Sequence, residues 1–321
     1  MTYTIDVHVG PDHVMRSLRN DVATGLTREP KQLPPKWFYD DRGSQLFDAI
    51  TRLPEYYLTS RESEILSARS AEIAALTEAD TLVELGSGTS AKTRMLLDAL
   101  ARAGRLRLFV PFDVSEGVLR EAAHSIGRAF PTVDVHAVAG DFDLHLQHLP
   151  KGGRRLVIFL GSTIGNLDPA ARKAFFDEIA GDLDPGDHFL VGADLVKDVA
   201  ILEAAYNDPS GVTEAFNKNV LSVINRELHA DFDIDRFAHL AFFDADNSWI
   251  EMRLISQVAH PVAIPDLDLE IELAKDEYIT TEISTKFVLE EISDEIAATG
   301  MTVRRAWTDE RADFALLLAA R

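Results

Sequence analysis

Short apolar runs alternate with amphipathic segments through the middle of the chain. Each run has the length of a strand and ends at or near a glycine or aspartate, and helical patterns lie between most of the runs. Strands that are apolar on both faces and separated by helices are typical of a parallel sheet covered by helices on both sides. The predicted strands cover residues 81–85, 106–112, 133–138, 155–160 and 188–194.

The end of the chain completes the same sheet pattern. Residues 287–299 form a predicted helix closed by Gly300, and two strands follow over 302–307 and 314–320. A strand, a helix and a terminal hairpin resemble the ending of the class I methyltransferase fold, in which a reversed hairpin completes a seven-stranded sheet. We therefore predict an α/β, Rossmann-like fold with a seven-stranded sheet.

The segments outside this pattern predict a second domain. The strand–helix alternation stops after Asp194; residues 197–226 have helical patterns, and strands follow that contain residues 249–256 and 267–273. These elements and the N-terminal segment are expected to pack together as an α+β domain that binds the substrate. The predicted boundaries are 61–195 and 287–321 for the cofactor-binding domain, and 1–60 and 196–286 for the substrate-binding domain.

Composition and charge exclude several classes of function. The 321 residues are 46% apolar and carry 32 basic against 53 acidic side chains, a formal net charge of −21. Such a charge repels nucleic acid and anionic membrane surfaces. The absence of cysteine excludes disulfides, thiolate metal ligands and cysteine nucleophiles. With no predicted signal peptide or membrane span, we expect a cytoplasmic, monomeric protein.

Candidate ligand-binding groups follow three consecutive predicted strands. Ligands of open parallel sheets bind beyond the carboxyl ends of the strands. Gly86 and Gly88 follow the first strand and let the backbone approach a ligand closely. Asp113 ends the second strand, where a carboxylate can accept both hydroxyls of a ribose. Asp141 ends the third strand and can accept from an adenine amino group, with Phe142 beside it.

Two adenosine-containing cofactors are compatible with a glycine loop of this kind. A dinucleotide site requires G-x-G-x-x-G, and the segment from Gly86 to Ala91 lacks the third glycine. Asp141 is also not part of the dinucleotide pattern. Lys92 is predicted in the first turn of a helix capped by Thr89 or Ser90, where a cation opposes the helix dipole. The carboxylate of S-adenosylmethionine would explain that cation, although an ordinary surface lysine is the alternative; together these features favour S-adenosylmethionine over a nicotinamide cofactor.

Longer segments of mixed character resemble one known family over nearly the whole chain. This family is the actinobacterial histidine-specific methyltransferases of ergothioneine biosynthesis. The resemblance implies that three methyl groups pass from S-adenosylmethionine to the α-amino group of L-histidine, giving hercynine through mono- and dimethylated intermediates. The matching segments are Leu33–Asp40, Leu53–Tyr57, Leu82–Ser90, Leu160–Asn166, Ala215–Asn219, Asn225–Leu228 and Thr281–Phe287.

The resemblance also implies roles for individual side chains. Asn166 and Tyr206 would hold the carboxylate and amine of histidine, while Glu282 and Ser284 would hold the imidazole with help from Tyr56. Tyr39 would lie at the amine, and Tyr39 and Asn166 are the residues expected to take part in catalysis. The one local departure is Thr285, between Ser284 and Lys286, and it affects no assigned role. The implied cofactor residues are Gly86, Lys92, Asp113, Asp141, Phe142 and Gly161.

Several alternatives remain open at the level of sequence. Without the resemblance, Tyr56 and Tyr206 would be interpreted as packing residues, Asn166 as a turn residue and Glu282 as a solvated carboxylate. His145 and His148 have a spacing compatible with a metal, but with no third ligand nearby we predict a solvated helix face and no metal.

The reaction and its substrate also leave choices. The amine must lose a proton in each round, and we expect it to leave through water and tyrosine hydroxyls. The competing functions are N-methylation of another amino acid such as tryptophan, and non-catalytic cofactor binding within a biosynthetic complex.

Overall fold

The computed structural model describes residues 3–88 and 90–321, with the side chains of Pro11, Phe142 and Asp143 left out. The strands in these ranges are β1 (Tyr3–Val7), β2 (Lys31–Gln32), β3 (Thr81–Leu85), β4 (Leu108–Asp113), β5 (Asp134–Ala139), β6 (Arg155–Phe159), β7 (His188–Asp194), β8 (Phe237–Asp244), β9 (Trp249–Ser256), β10 (His260–Ile264), β11 (Leu269–Leu273), β12 (Tyr278–Thr285), β13 (Thr302–Thr308) and β14 (Phe314–Ala320). The α-helices are α1 (Pro11–Thr27), α2 (Asp41–Ile50), α3 (Tyr57–Thr77), α4 (Arg94–Arg102), α5 (Glu116–Ala129), α6 (Phe142–His145), α7 (Pro169–Asp182), α8 (Val199–Ala204), α9 (Val212–Leu228) and α10 (Leu289–Ala297).

The chain divides into two compact units, each made of discontinuous segments. The first unit contains the N-terminal residues as far as Gly10, together with Leu58–Val196 and Phe287–Arg321. The second unit contains Pro11–Tyr57 and Lys197–Lys286. In the described part of the chain, no helix is both long enough and apolar enough to cross a membrane.

The first unit is built on one large sheet. Among the described residues this sheet has eight strands, in the order β1-β5-β4-β3-β6-β7-β14-β13. Neighbouring strands are parallel from β1 to β7, whereas β14 is antiparallel to both β7 and β13. The predicted α/β class and the reversed terminal hairpin are therefore confirmed.

The number of strands predicted from the sequence was wrong by one. All seven predicted strands belong to the sheet, and β1 adds an eighth by pairing parallel to β5, with Tyr3 opposite Val135. The residues of β1 are partly or fully exposed, as expected of an edge strand. A short segment with so little buried apolar surface lacks the continuous apolar run by which the central strands were found.

The core of the first unit explains why the central strands are so apolar. Val83 and Phe159 are fully buried on β3 and β6, and Val191 is fully buried on β7. Helices α7 and α10 contribute Phe176 and Ile292 to the same apolar cluster. Strands covered in this way keep apolar side chains at nearly every position, which made them recognisable in the sequence.

The helix after the glycine loop begins later than predicted. Helix α4 starts at Arg94, so Lys92 precedes the helix and does not lie in its first turn. Ser90 has a φ of 52°, in the left-handed region, and does not cap the helix. Thr93 stands at the cap position, but its hydroxyl bonds to Glu84. The other predicted cap, Thr89, lies outside the described residues.

The second unit contains a smaller, mainly antiparallel sheet. Its strand order is β2-β12-β9-β8, with β10 and β11 forming a separate hairpin. The pairing of β12 with β9 shifts by one residue between Thr280 and Glu282. The extra residue, Thr281, is buried, and its hydroxyl donates to Asn217 Oδ1 at 2.6 Å. This bulge lies directly before the residues of β12 that the sequence resemblance assigned to substrate binding.

Candidate active site

The glycine loop after β3 has the backbone geometry expected of a ligand-binding turn. Gly86 and Gly88 have φ values of 66° and 48°, in the left-handed region that glycine tolerates best. A Cβ atom added at Gly88 would meet nothing within 4 Å. The Gly88 N–H donates to Asp113 Oδ2 at 2.9 Å, which ties the loop to the end of β4.

Asp113 is placed as the sequence suggested, at the end of the neighbouring strand. Its other carboxylate oxygen, Oδ1, accepts from the Ser115 N–H at 3.0 Å. Burial raises the pKa of Asp113, and the N–H groups of Gly88 and Ser115 partly offset that rise. A carboxylate held by two backbone donors keeps lone pairs available for the hydroxyls of a ribose.

Glu84 lies beneath the same loop, at the penultimate position of β3. Its side chain is buried and accepts from the Thr93 hydroxyl. Burial raises the pKa of Glu84 to about 7, although the bond from Thr93 and the charge of Lys92 act in the opposite direction. Glu84 Oε2 has no hydrogen-bond partner within the described ranges.

Glu62 is a residue of this site that the sequence did not reveal. It lies on α3, its side chain is fully buried, and its Oε1 accepts from the Gly161 N–H at 2.7 Å. Its Oε2 forms an ion pair with Lys92. One carboxylate therefore holds two predicted cofactor residues, Lys92 and Gly161, so Lys92 does not need a ligand to compensate its charge. A glutamate within a long polar helix gives no sequence pattern that distinguishes it from a solvated one.

Asp141 follows the carboxyl end of β5, as predicted. Its backbone N–H donates to His145 Nδ1 at 3.1 Å. Phe142 begins α6, and its side chain lies outside the described residues.

The predicted solvated face holds for only one of the two histidines near Asp141, since His148 is exposed whereas His145 is half-buried. His8, at the end of β1, stacks on His148 with ring centroids 4.0 Å apart and on His145 at 6.0 Å. Burial lowers the pKa of His8, and His148 and His145 lower it further. Across the residues that the structure describes, no group of three or more metal-ligating side chains has a geometry suited to a metal ion.

Gly161 and Asn166 form a tight connection after β6. Gly161 and Ser162 have φ values of 78° and 57°, and a 3-10 turn follows over Thr163–Asn166. Asn166 ends this turn and is half-buried. Asn166 belongs to the first unit, whereas the other predicted histidine-binding residues belong to the second.

In the second unit, three predicted tyrosines belong to one aromatic cluster. The ring of Tyr39 lies 5.5 Å from that of Phe47 and 5.4 Å from that of Phe216, both in edge-on contacts. The ring of Phe47 lies 6.3 Å from that of Tyr56, and Tyr56 lies 6.3 Å from Tyr206. Edge-to-face contacts at these separations are favourable and fix the ring orientations.

Glu282 and Ser284 lie on one face of β12, because they are two residues apart beyond the bulge. Ser284 is buried, and its Oγ accepts from the Tyr206 hydroxyl at 2.9 Å. Lys286 follows the strand, and its ammonium lies 2.8 Å from Ser284 Oγ and 3.0 Å from the Tyr206 hydroxyl oxygen. Tyr206 and Ser284, two predicted substrate-binding residues that are far apart in sequence, are thus hydrogen-bonded to each other. Lys286, which the sequence did not point to, is hydrogen-bonded to both.

The backbone of Tyr206 is held by a polar network that also reaches the bulge. His239 Nε2 donates to the Tyr206 carbonyl at 2.8 Å, and His239 Nδ1 accepts from Asn217 Nδ2 at 2.9 Å. Asn217 Oδ1 in turn accepts from the hydroxyl of Thr281. Burial lowers the pKa of His239, which keeps its ring neutral with the proton on Nε2.

Comparison with known proteins places the chain in one family. The model of the SAM-dependent, histidine-specific methyltransferases matches residues 18–321, where SAM is S-adenosylmethionine. The chain belongs to this family.

Members and relatives of the family differ in their substrates. The chain is 54% identical to the histidine N-alpha-methyltransferase of Mycolicibacterium smegmatis over 100% of both chains. It is 33% identical to ergothioneine biosynthesis protein 1 of Schizosaccharomyces pombe, over 67% of this chain and 31% of that protein. It is 26% identical to an L-tryptophan methyltransferase of Psilocybe serbica, over 91% of this chain and 92% of that protein.

Proposed function

We propose that this protein transfers three methyl groups from S-adenosylmethionine to the α-amino group of L-histidine, producing hercynine for ergothioneine biosynthesis. The observation that carries the proposal is the polar face of β12 in a chain of the histidine-specific family: Glu282 and Ser284 share that face, and Ser284 is bonded to Tyr206. The full-length identity to a histidine N-alpha-methyltransferase supports the same substrate.

The glycine loop and the ends of β4 and β5 fit the cofactor. S-adenosylmethionine supplies an activated methyl group together with its own leaving group, so the protein chiefly binds and orients the reactants. Open space adjoins the Cα of Gly88, so a ligand could approach the backbone closely there. Asp113 would accept the ribose hydroxyls and Asp141 the adenine amino group. Ser87 Oγ is buried without a hydrogen-bond partner among the described residues, which supports a polar ligand at the loop.

The pocket residues of the second unit suit a neutral imidazole. A neutral imidazole has one N–H donor and one ring nitrogen that accepts. Glu282, as a carboxylate, accepts, and Ser284 has a hydroxyl that can donate. An indole ring offers a donor and no acceptor, so it would leave one of these groups without a partner. This difference favours histidine over tryptophan.

The amine end needs groups that bind without blocking methylation. The attacking amine must be neutral, yet the α-amine is mostly protonated at pH 7, and every round releases a proton. Tyr39 is 43% exposed and is connected to Tyr206 through the rings of Phe47 and Tyr56, so its hydroxyl offers a route for that proton to solvent. Asn166 and Tyr206 would orient the carboxylate and amine, and each added methyl removes one donor from the amine.

A direct assay tests this function. The protein is incubated with methyl-labelled S-adenosylmethionine and each of the free amino acids, and the products are resolved by mass. We expect label on histidine alone, with one, two and finally three methyl groups. Transfer to tryptophan with histidine inert would replace the proposed substrate. Cofactor binding without transfer to any amino acid would instead indicate a non-catalytic role.

A further inference from the structure

Lys286 is one of the most deeply buried charged residues of the second unit. It is 1% exposed, and its backbone is fixed by a bond from its N–H to the Ser248 carbonyl at 2.7 Å. Its ammonium donates to Ser284 Oγ at 2.8 Å and to the Tyr206 hydroxyl at 3.0 Å. Withdrawing an ammonium from water is costly unless it is hydrogen-bonded. The burial of this ammonium is therefore compensated in part by the hydroxyls of Ser284 and Tyr206, both of which are assigned to substrate binding.

The three groups form a closed triangle, which restricts where their protons can point. A lysine ammonium only donates, whereas serine and tyrosine hydroxyls each have one hydrogen and also accept. Lys286 donates to both hydroxyls, and along the third side the Tyr206 hydroxyl donates to Ser284 Oγ at 2.9 Å. Ser284 Oγ then accepts twice, so its own hydrogen is directed out of the triangle. If the third side were reversed, the outward hydrogen would be that of Tyr206.

We propose that Lys286 is a positioning and specificity residue that makes the Ser284–Tyr206 pair a hydrogen-bond donor to the amino acid substrate. This inference rests on the proposed function and names the chemistry of its pocket. In either arrangement, the ligand must present an acceptor to the triangle: a ring nitrogen lone pair at Ser284, or a carboxylate oxygen at Tyr206. Glu282, two residues before Ser284, supplies the complementary acceptor. The pocket then selects a side chain with one donor and one acceptor.

The absence of cysteine permits a test by chemical substitution at this position. In Lys286→Cys, the introduced thiol is the only one in the chain. Alkylating the unfolded variant with 2-bromoethylamine restores an ammonium on a side chain of lysine length, and 1-bromopropane gives its neutral isostere. Both forms are refolded alongside wild type taken through the same cycle. Cofactor affinity by calorimetry reports refolding, and initial rates give kcat and the KM for histidine.

We expect the neutral form to raise the KM for histidine roughly 10- to 100-fold, the loss associated with hydrogen bonds to a charged group. The aminoethyl form should recover most of that loss, with cofactor affinity unchanged in both. Lys31 is the matched control, since it is also buried in the second unit but pairs with Glu277. The same chemistry on Lys31→Cys should leave the KM for histidine unchanged. Lys286→Met, expressed directly, repeats the neutral case without refolding.

Three outcomes would overturn the inference. The first is a neutral Lys286 form with the KM of wild type for histidine. The second is an aminoethyl form that binds cofactor but whose KM for histidine stays as high as that of the neutral form. The third is a Lys31 series whose KM values change in the same way as those of the Lys286 series. Failure of the proposed function itself looks different, because refolded wild type would then bind cofactor and not methylate histidine.

Discussion

Glu84 permits a quantitative test of the electrostatics beneath the glycine loop. Burial raises its pKa from 4.5 to about 7. Glu84 is only 5% exposed, so solvent screens the charge of its carboxylate little. Between these two pH values the folded protein holds a proton on Glu84 that the unfolded chain has released. Stability from this group is therefore fully present below pH 4.5 and is lost as the pH rises through about 7.

The perturbation is Glu84→Gln, which keeps the shape of the side chain and an acceptor for the Thr93 hydroxyl but removes the titration. A rise in pKa from 4.5 to about 7 corresponds to about 3 kcal/mol. The free energy of unfolding of the variant, minus that of wild type, should therefore increase by about 3 kcal/mol from pH 4.5 to pH 8. All other titrating groups are present in both proteins and cancel in this difference.

The measurement is urea unfolding followed by circular dichroism at a series of pH values. Glu290→Gln, at an exposed position of α10, controls for the loss of one carboxylate from the same unit. A difference between Glu84→Gln and wild type that stays constant across the range would refute the reasoning, because Glu84 would then be ionised in the folded protein throughout.

Three further predictions follow from other contacts. Glu62→Gln should weaken S-adenosylmethionine binding roughly tenfold in calorimetry, because Gly161 and Lys92 lose their shared carboxylate; unchanged affinity would remove Glu62 from the site. Burial lowers the pKa of His239 below 6.5, so its contribution to stability should be lost as the pH falls below that value. The stability gap between wild type and His239→Gln should therefore shrink from pH 8 to pH 5 in urea unfolding, and a constant gap would contradict a neutral ring. Glu282→Ala should lose histidine affinity and keep cofactor affinity, and normal histidine binding by calorimetry would show the assignment to be wrong.

The large sheet could be predicted because strands that are buried on both faces have nearly continuous runs of apolar residues in the sequence. Strands β3 and β6 are buried at every position and span five residues each, a length that suits a strand and is too short for a typical helix. Strand β1 lacks such an apolar run, because it lies at the edge of the sheet and its side chains are largely exposed. The start of α4 was misplaced for a different reason: the Thr93 hydroxyl bonds to Glu84, and no local rule of helix capping includes such a distant partner.

The candidate site was predictable where chemistry is tied to strand ends. Asp113 and Asp141 follow apolar runs, and parallel strands bring their carboxyl ends to one edge. Glu62 and Lys286 were missed because they are recognised only by tertiary contacts, to Gly161 for Glu62 and to Tyr206 for Lys286, that lie far away in sequence. The roles of Tyr39, Asn166 and Glu282 came from family resemblance, and they remain predictions.

The bulge at Thr281 decides which face of β12 presents Glu282 and Ser284. Thr280 pairs with Arg253, while Glu282 pairs with Met252, the adjacent residue of β9. Adjacent strand residues point to opposite faces, so Glu282 and Ser284 face away from the side occupied by Thr280. Glu282 and Ser284 therefore lie on the face of the buried residues Met252 and Ile250, whereas Thr280 shares its face with Arg253 and donates to Glu251. Removing the extra residue would turn Glu282 and Ser284 to the face of Thr280, so the side on which β12 presents these two polar groups is set by the length of the strand and not by their own chemistry.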